Sequence, residues 1–326
     1  MGAAAGVAKL PAGQGRLAIA RPGPYVVGMA TVGNLDFEAY VQAKRAQRPS
    51  EKDGREDAHA YAYVSDRTTR KTFQMIKPVE LAVEAGVRLL KNVGKNELLG
   101  TAVKVGPEQF PRVHRLVQRC AETLGIAPPT VYIKNNPVLN AMTYGTDDDA
   151  FVLVHSALVD HLSDEELLSV IGHECGHIHN EHVVYLTAMH YLRTMASVVV
   201  RWAAAPAMLA LQGWSRRAEV TCDRAALLCS RDLEAATRAL AKLALGSTKL
   251  YEQFNLEAFL AQYEEGKEGV GKLTEIFASH PWLPKRIKAL RAFAESRLYR
   301  EHVGQEGGIG MDEVDTRVHE IIKVLG

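Results

Sequence analysis

Ser169 to Val184 reads SVIGHECGHIHNEHVV, and its four histidines fall within ten residues. The stretch before it explains what the cluster is built on. Ser163-Asp164-Glu165-Glu166 has the form of a capping box, a serine followed three residues later by a glutamate. Leu167, Leu168, Val170 and Ile171 then keep helix-compatible apolar spacing. The histidines therefore sit two to four turns into a helix. At about 100° per residue, His173 and His177 lie about 40° apart on one face, and Glu174 flanks it. This is H-E-x-x-H. Two neutral imidazoles one turn apart can share a zinc ion, with the neighbouring carboxylate in reach of a water. On the same projection His179 and His182 fall on the opposite side and line up with Cys175. That face is either a polar surface pairing with acids or water, or a second metal site made of Cys175, His179 and His182. Gly176 costs about 1 kcal/mol of helix stability relative to alanine. Its presence points to a close approach by another element.

Two histidines do not complete a catalytic zinc site, which takes three protein ligands and leaves one position open. Downstream, SRRAEVTCDRAALL (Ser215 to Leu228) reads as an amphipathic helix with Glu219 and Asp223 on one face. Glu219 has the reach of a third ligand, and Asp223 that of an acceptor for the free ring N–H of a zinc histidine. The same pair also reads as exposed acids salted to Arg216, Arg217 or Arg224.

H-E-x-x-H followed about forty residues later by S-R-x-x-E-x-x-x-D resembles the HtpX-like and CAAX prenyl protease family of zinc metallopeptidases. LLGTAVKVGPEQFPRVHRLVQRCAETLGIAPPTVYIKNNPVLNAMTYG is similar to that family's entry into its catalytic domain. DDDAFVLVHSALVDHLSDEELLSVIGHECGHI resembles its strand, turn and active-site helix, and SHPWLPKRIKAL (Ser279 to Leu290) its late H-P-x-x-x-x-R-I motif. The resemblance runs from about Leu98 to Phe293. It implies a zincin-like α+β fold, mainly helical, with a small β-sheet beside the active-site helix. It also implies one zinc ion per chain held by His173, His177 and Glu219, with Asp223 behind them. The expected reaction is peptide-bond hydrolysis, in which zinc activates water and polarises the carbonyl while Glu174 is the general base. The resemblance nominates His280 as a donor to the oxyanion and Asn140 as a donor to substrate backbone. His280 also reads as a surface residue before a proline turn, and Asn140 as a turn residue. An extended substrate is expected to add to a sheet edge, with Ala150 to Val154 as the candidate strand. The alternative from another class is a latent, zinc-bound protein working as a binding or regulatory module. In that reading the N-terminal segment fills the cleft, or His179, His182 or His280 displaces the water.

Composition sets the outer bounds. The 326 residues carry 39 Lys and Arg against 38 Asp and Glu, so nucleic acid is not the expected partner; a protein or peptide partner is what the resemblance implies. Four cysteines without regular spacing make no disulfide framework, and Cys175 and Cys222 read as small packing residues. The N-terminus has no basic region followed by an apolar run, and a reducing cytoplasm is the expected location. Thr194 to Trp214 is nearly all apolar, but Arg201 and Pro206 interrupt it. A buried helix pair explains both residues better than a membrane span, with membrane association as the alternative. The expected organisation is an N-terminal segment 1–75, a catalytic domain 76–303 and a C-terminal loop and helix 304–326. Short strands are expected at Leu17 to Ala20, Tyr25 to Val32 and Ala58 to Val64. Helices are expected at Pro78 to Val93, Glu108 to Thr123, 183–201, 203–213, 215–229, 232–245, 255–265, 284–303 and 311–324.

Overall fold

The computed structural model describes residues 59–75, 100–147, 149–194, 205–265 and 281–323, all within the unit Lys44–Gly326. Among these residues the protein is mainly helical with one four-stranded sheet. The chain begins with α1 (Val64–Met75), then β1 (Ala102–Lys104), α2 (Pro111–Leu124), β2 (Thr130–Lys134), β3 (Ala141–Thr146) and β4 (Asp149–His155). It continues through α3 (Ser156–His161), α4 (Asp164–His179), α5 (Val183–Thr194), α6 (Ala205–Ser230) and α7 (Leu233–Leu245). The remaining helices are α8 (Thr248–Tyr251), α9 (Leu256–Glu265), α10 (Leu283–Ala294), α11 (Arg297–His302) and α12 (Met311–Ile322). The mainly helical α+β expectation is met.

Strand order is β1-β2-β4-β3, with β2 and β4 parallel and the outer pairs antiparallel. The apolar run Phe151 to Val154 is therefore central, paired on both sides, and both its faces are covered. This corrects the expectation that Ala150 to Val154 is an edge strand. The edge nearest the active-site helix is β3. Within β3, Gly145 pairs with Ala150 at φ 119°, where an added Cβ would meet Asp149 O at 2.3 Å. Side chains alternate as a pleat requires. Val131, Ile133, Val152 and Val154 enter the main core, while Tyr132, Phe151 and Leu153 form a separate cluster on the other face.

Ser163 caps α4 as its sequence predicts. Its hydroxyl accepts from Glu166 N, and the Glu166 carboxylate accepts from Ser163 N. Glu166 also pairs with Arg238 and Lys242 of α7, so one side chain starts α4 and docks α7 on it. The tightest packing is between α4 and α6. A Cβ on Gly172 would lie 2.7 Å from Cys229 Cβ, and one on Gly176 2.8 Å from Ala225 Cβ and 3.1 Å from Cys222 Cα. The two glycines let α6 run against α4, which accounts for the helix-weakening residue at 176.

Several boundaries differ from expectation. Residues 59–63 form turns rather than a strand, and Val64 opens α1. The expected helices 203–213 and 215–229 are one helix, α6, because Pro206 sits in its first turn, where no N–H is needed. The expected helix 284–303 is two, because Ser296 caps α11 by accepting from Tyr299 N. The strands proposed before residue 33, helix Pro78 to Val93 and residues 195–204 lie outside the described residues. No helix among the described residues is long and apolar enough to cross a membrane. Tyr61, Tyr63, Val314 and Val318 belong to the same core as Leu168 and Phe293. One hydrophobic core thus crosses the boundaries drawn at 75 and 303.

Candidate metal centre

The site lies where α4 crosses α6, in a cleft lined by Asn140, His173, Glu174, Glu219, Asp223 and Arg286 among others. His173 Nε2 is 3.4 Å from Glu219 Oε2, and His177 Nε2 is 3.6 Å from Glu219 Oε1. Ligands at about 2.05 Å around one tetrahedral ion are about 3.3 Å apart. The two ring nitrogens and the carboxylate thus stand at separations that suit a shared metal. The donor set, two imidazoles and one carboxylate, fits a borderline divalent ion. Glu219 and Asp223 are buried beside these rings rather than exposed.

Behind His173, Asp223 Oδ1 lies 3.1 Å from Nδ1. Arg286 of α10 holds Asp223 through two bonds of 2.8 and 2.6 Å and reaches Glu219 at 3.3 Å. Burial opposes a charged His173, but Glu219 and Asp223 outweigh it and raise its pKa to about 10. Burial also opposes the Asp223 carboxylate, and Arg286 outweighs it, so that carboxyl stays below its ordinary range. The acids around His173 thus favour a positive charge at this point of the cleft.

His177 is set differently. Burial first, then the charge on His173, lowers its pKa. Its Nδ1 faces Cys222 Sγ at 3.2 Å and His182 Nδ1 at 3.2 Å. His173, His177 and Cys222 also form a group of donors within 4.8 Å of one another. Cys222, however, lies on the Nδ1 side of His177, away from the cleft. It is fully buried, and burial followed by the Glu219 charge holds its thiol well above the ordinary range. It is more than the packing residue expected, since it touches the ring behind the metal face.

Glu174 is buried at the cleft, and its Oε2 accepts from Thr143 Oγ1 of β3 at 2.6 Å. Asn140, immediately before β3, lines the same cleft; its carbonyl accepts from His155 N at 3.0 Å. His280 lies outside the described residues. The second site imagined from Cys175, His179 and His182 does not assemble. His179 Nδ1 bonds Tyr61 OH at 2.7 Å and its ring stacks on His59. Cys175 is buried near Cys120. His182 does not lie on the helix face that continued periodicity predicts. Helix α4 ends at Asn180, and Glu181 takes φ 56°, which folds His182 back against His177. It does not reach the cleft, so it cannot displace a water there.

The sequence reading does not single out Thr143, Arg286 or Asp66 for the site, and it names His182 only for a second metal site or as a residue displacing the water. Arg286 stands in the R-I of the late motif, which was the one available signal.

Residues 107–294, more than half of the chain, match Peptidase family M48. The chain is 38% identical over 170 residues to the plastoglobule-localized metallopeptidase 48, chloroplastic, of Arabidopsis thaliana, covering 51% of this chain and 49% of that protein. It is 26% identical over 222 residues to a protease HtpX homolog of Moorella thermoacetica, covering 58% and 74%. A protease HtpX homolog of Halobacterium salinarum is 32% identical over 124 residues, covering 34% and 43%. The chain thus spans about half the length of the plastoglobule relative. No solved structure gave a significant match. The H-E-x-x-H helix, the crossing helix that carries Glu219 and Asp223, and the matched region that contains both together identify the chain as a member of peptidase family M48.

Proposed function

We propose that the chain is a zinc-dependent metalloendopeptidase that hydrolyses peptide bonds in proteins or peptides. The convergence of His173 Nε2, His177 Nε2 and the Glu219 carboxylate beside Glu174 carries this reading. His173, His177 and Glu219 would hold the ion, and Asp223 would orient His173 through Nδ1. Zinc, when bound, supplies a Lewis acid that polarises a carbonyl and lowers the pKa of water. Cys222 is not assigned as a ligand, because both Nε2 atoms face Glu219.

Glu174 takes a proton from the attacking water and returns it to the leaving amine. The Thr143 hydroxyl occupies one Glu174 oxygen and so turns the other toward the cleft. β3 is the edge strand beside α4, where an extended substrate would pair, with Asn140 at its start. His280 is retained as the donor to the developing oxyanion on the motif alone.

The test is cleavage of unfolded casein by wild type and Glu174→Gln, with zinc content measured in both. The expected result is one zinc in each and a loss of about 10²–10⁴-fold in cleavage for the variant. Equal cleavage by both would remove Glu174 from the reaction. A wild type without zinc would end the metal reading itself.

A further inference from the structure

A second set of buried polar groups lies behind His177, and the cleft does not use it. His177 Nδ1 is 3.2 Å from His182 Nδ1. His182 Nε2 is 3.0 Å from Asp66 Oδ2. Asp66 in turn accepts from Trp214 Nε1 at 2.9 Å and from Thr221 Oγ1 at 2.7 Å. His182 is fully buried and Asp66 is 1% exposed. A buried carboxylate is costly unless it is fully bonded, and this one has three donors around it.

The order of protons along this line follows from valence. An ionised Asp66 only accepts, so His182 Nε2 carries a hydrogen. With one hydrogen on its ring, placed at Nε2 by the Asp66 contact, His182 presents a lone pair at Nδ1. The 3.2 Å contact therefore needs a hydrogen on His177 Nδ1, and the neutral His177 ring is left with its lone pair at Nε2. That lone pair faces Glu219 Oε1 at 3.6 Å, a separation that suits a cation shared between the two. Cys222 Sγ, 3.2 Å from His177 Nδ1 and 3.6 Å from His182 Nδ1, flanks the same line as a weak acceptor.

We propose that Asp66 and His182 are positioning residues for the metal centre: they lock His177 as its Nδ1–H tautomer and aim its Nε2 lone pair at Glu219. The inference rests on the metal reading above. It places a part of the site in α1, outside the matched residues 107–294, so the segment before the family region helps build the metal centre. Arg70 of α1 pairs with Glu181, which joins α1 to the turn that carries His182.

The experiment has two arms on the full chain. In the first, zinc is titrated into wild type and Asp66→Asn against a chromophoric chelator, with the melting temperature of each metal-free protein recorded. The amide keeps the shape of Asp66 but not its charge. The expected result is about 10- to 100-fold weaker zinc binding in a variant whose metal-free form still melts cooperatively. Zinc binding equal to wild type would overturn the proposal. The second arm needs no variant: histidine ¹⁵N spectra of the zinc-loaded wild type. Hydrogens on His177 Nδ1 and His182 Nε2 are expected. A hydrogen on His182 Nδ1 would overturn the proposal even if Asp66→Asn does not fold. A wild type that binds no zinc would fell the metal reading, and this inference with it. A wild type that binds zinc no better than Asp66→Asn would fell this inference alone.

Discussion

His173 and His177 sit one turn apart on α4 and face the same carboxylate, yet they are backed in opposite ways. Behind His173 stands a charged couple in direct contact, Asp223 clamped by Arg286. Behind His177 stand a thiol and a second imidazole, and the carboxylate comes one residue further out, at Asp66. The consequence appears in their proton affinities: His173 is raised to about 10, and His177 is lowered. One flank of the helix stores the charge that attracts a cation. The other fixes direction while adding little charge. A site with carboxylates directly behind both rings would add one more acid to Glu174, Glu219 and Asp223, at a larger desolvation cost.

The largest expected effect tests the charged flank. Arg286→Met leaves Asp223 buried without its clamp, and breaking such a pair costs about 3–5 kcal/mol. Urea denaturation of the metal-free protein measures it. A loss well under that range would mean that the two flanks do not differ in stored charge.

Next come the two glycines, one beside each flank. Gly172→Ala and Gly176→Ala each insert a methyl into a filled contact, costing about 1–3 kcal/mol. Their effects on metal should differ. Gly176→Ala presses on Cys222 Cα, between the backbone positions of Glu219 and Asp223, so it should weaken zinc binding as well as stability. Gly172→Ala presses chiefly on the Cys229 side chain and should lower stability with less change in zinc affinity. Equal losses of zinc affinity would show that the helix crossing moves as one piece.

Glu166 sharpens the comparison from the helix start. Burial opposes its carboxylate, but Lys242, the Ser163 backbone and Arg238 outweigh it, so its folded pKa is below its unfolded one. Its contribution is therefore present above the unfolded pKa and is lost as pH falls through the folded value. Glu166→Gln should cost about 1–2 kcal/mol near neutral pH and converge with wild type in acid. Thermal melts across that window check it. A constant gap at all pH values would remove the charge from the explanation.

The smallest effect is expected at Cys222. Cys222→Ala removes a sulfur behind His177 and should leave zinc stoichiometry unchanged. Loss of the metal would make the thiol a ligand and overturn the assignment of Glu219.

Much of this site is local and was legible. A capping box, two histidines at helical spacing and a glutamate beside them depend only on the periodicity of one helix. Glu219 and Asp223 were legible as a pair on a second helix, and the family pattern nominated them for the metal. Helical periodicity no longer holds where α4 stops at Asn180. His182 was projected onto the far face because nothing in Asn180-Glu181 marks a left-handed turn as strongly as a glycine would. The edge strand was misjudged for a related reason. An apolar run such as AFVLV is expected of any well-covered strand, and its neighbours in the sheet are not written in its own residues.

By itself, then, the sequence determined the helices, their caps, the H-E-x-x-H face and the candidate ligands, because these follow from side-chain spacing along one segment. Only the tertiary structure decided that β3 is the edge beside Glu174, that Thr143 and Arg286 brace the site, and that Asp66 stands behind His177. Those pairings join residues far apart in the chain. What brings them together is the burial of polar groups that must find partners wherever the packed core places them.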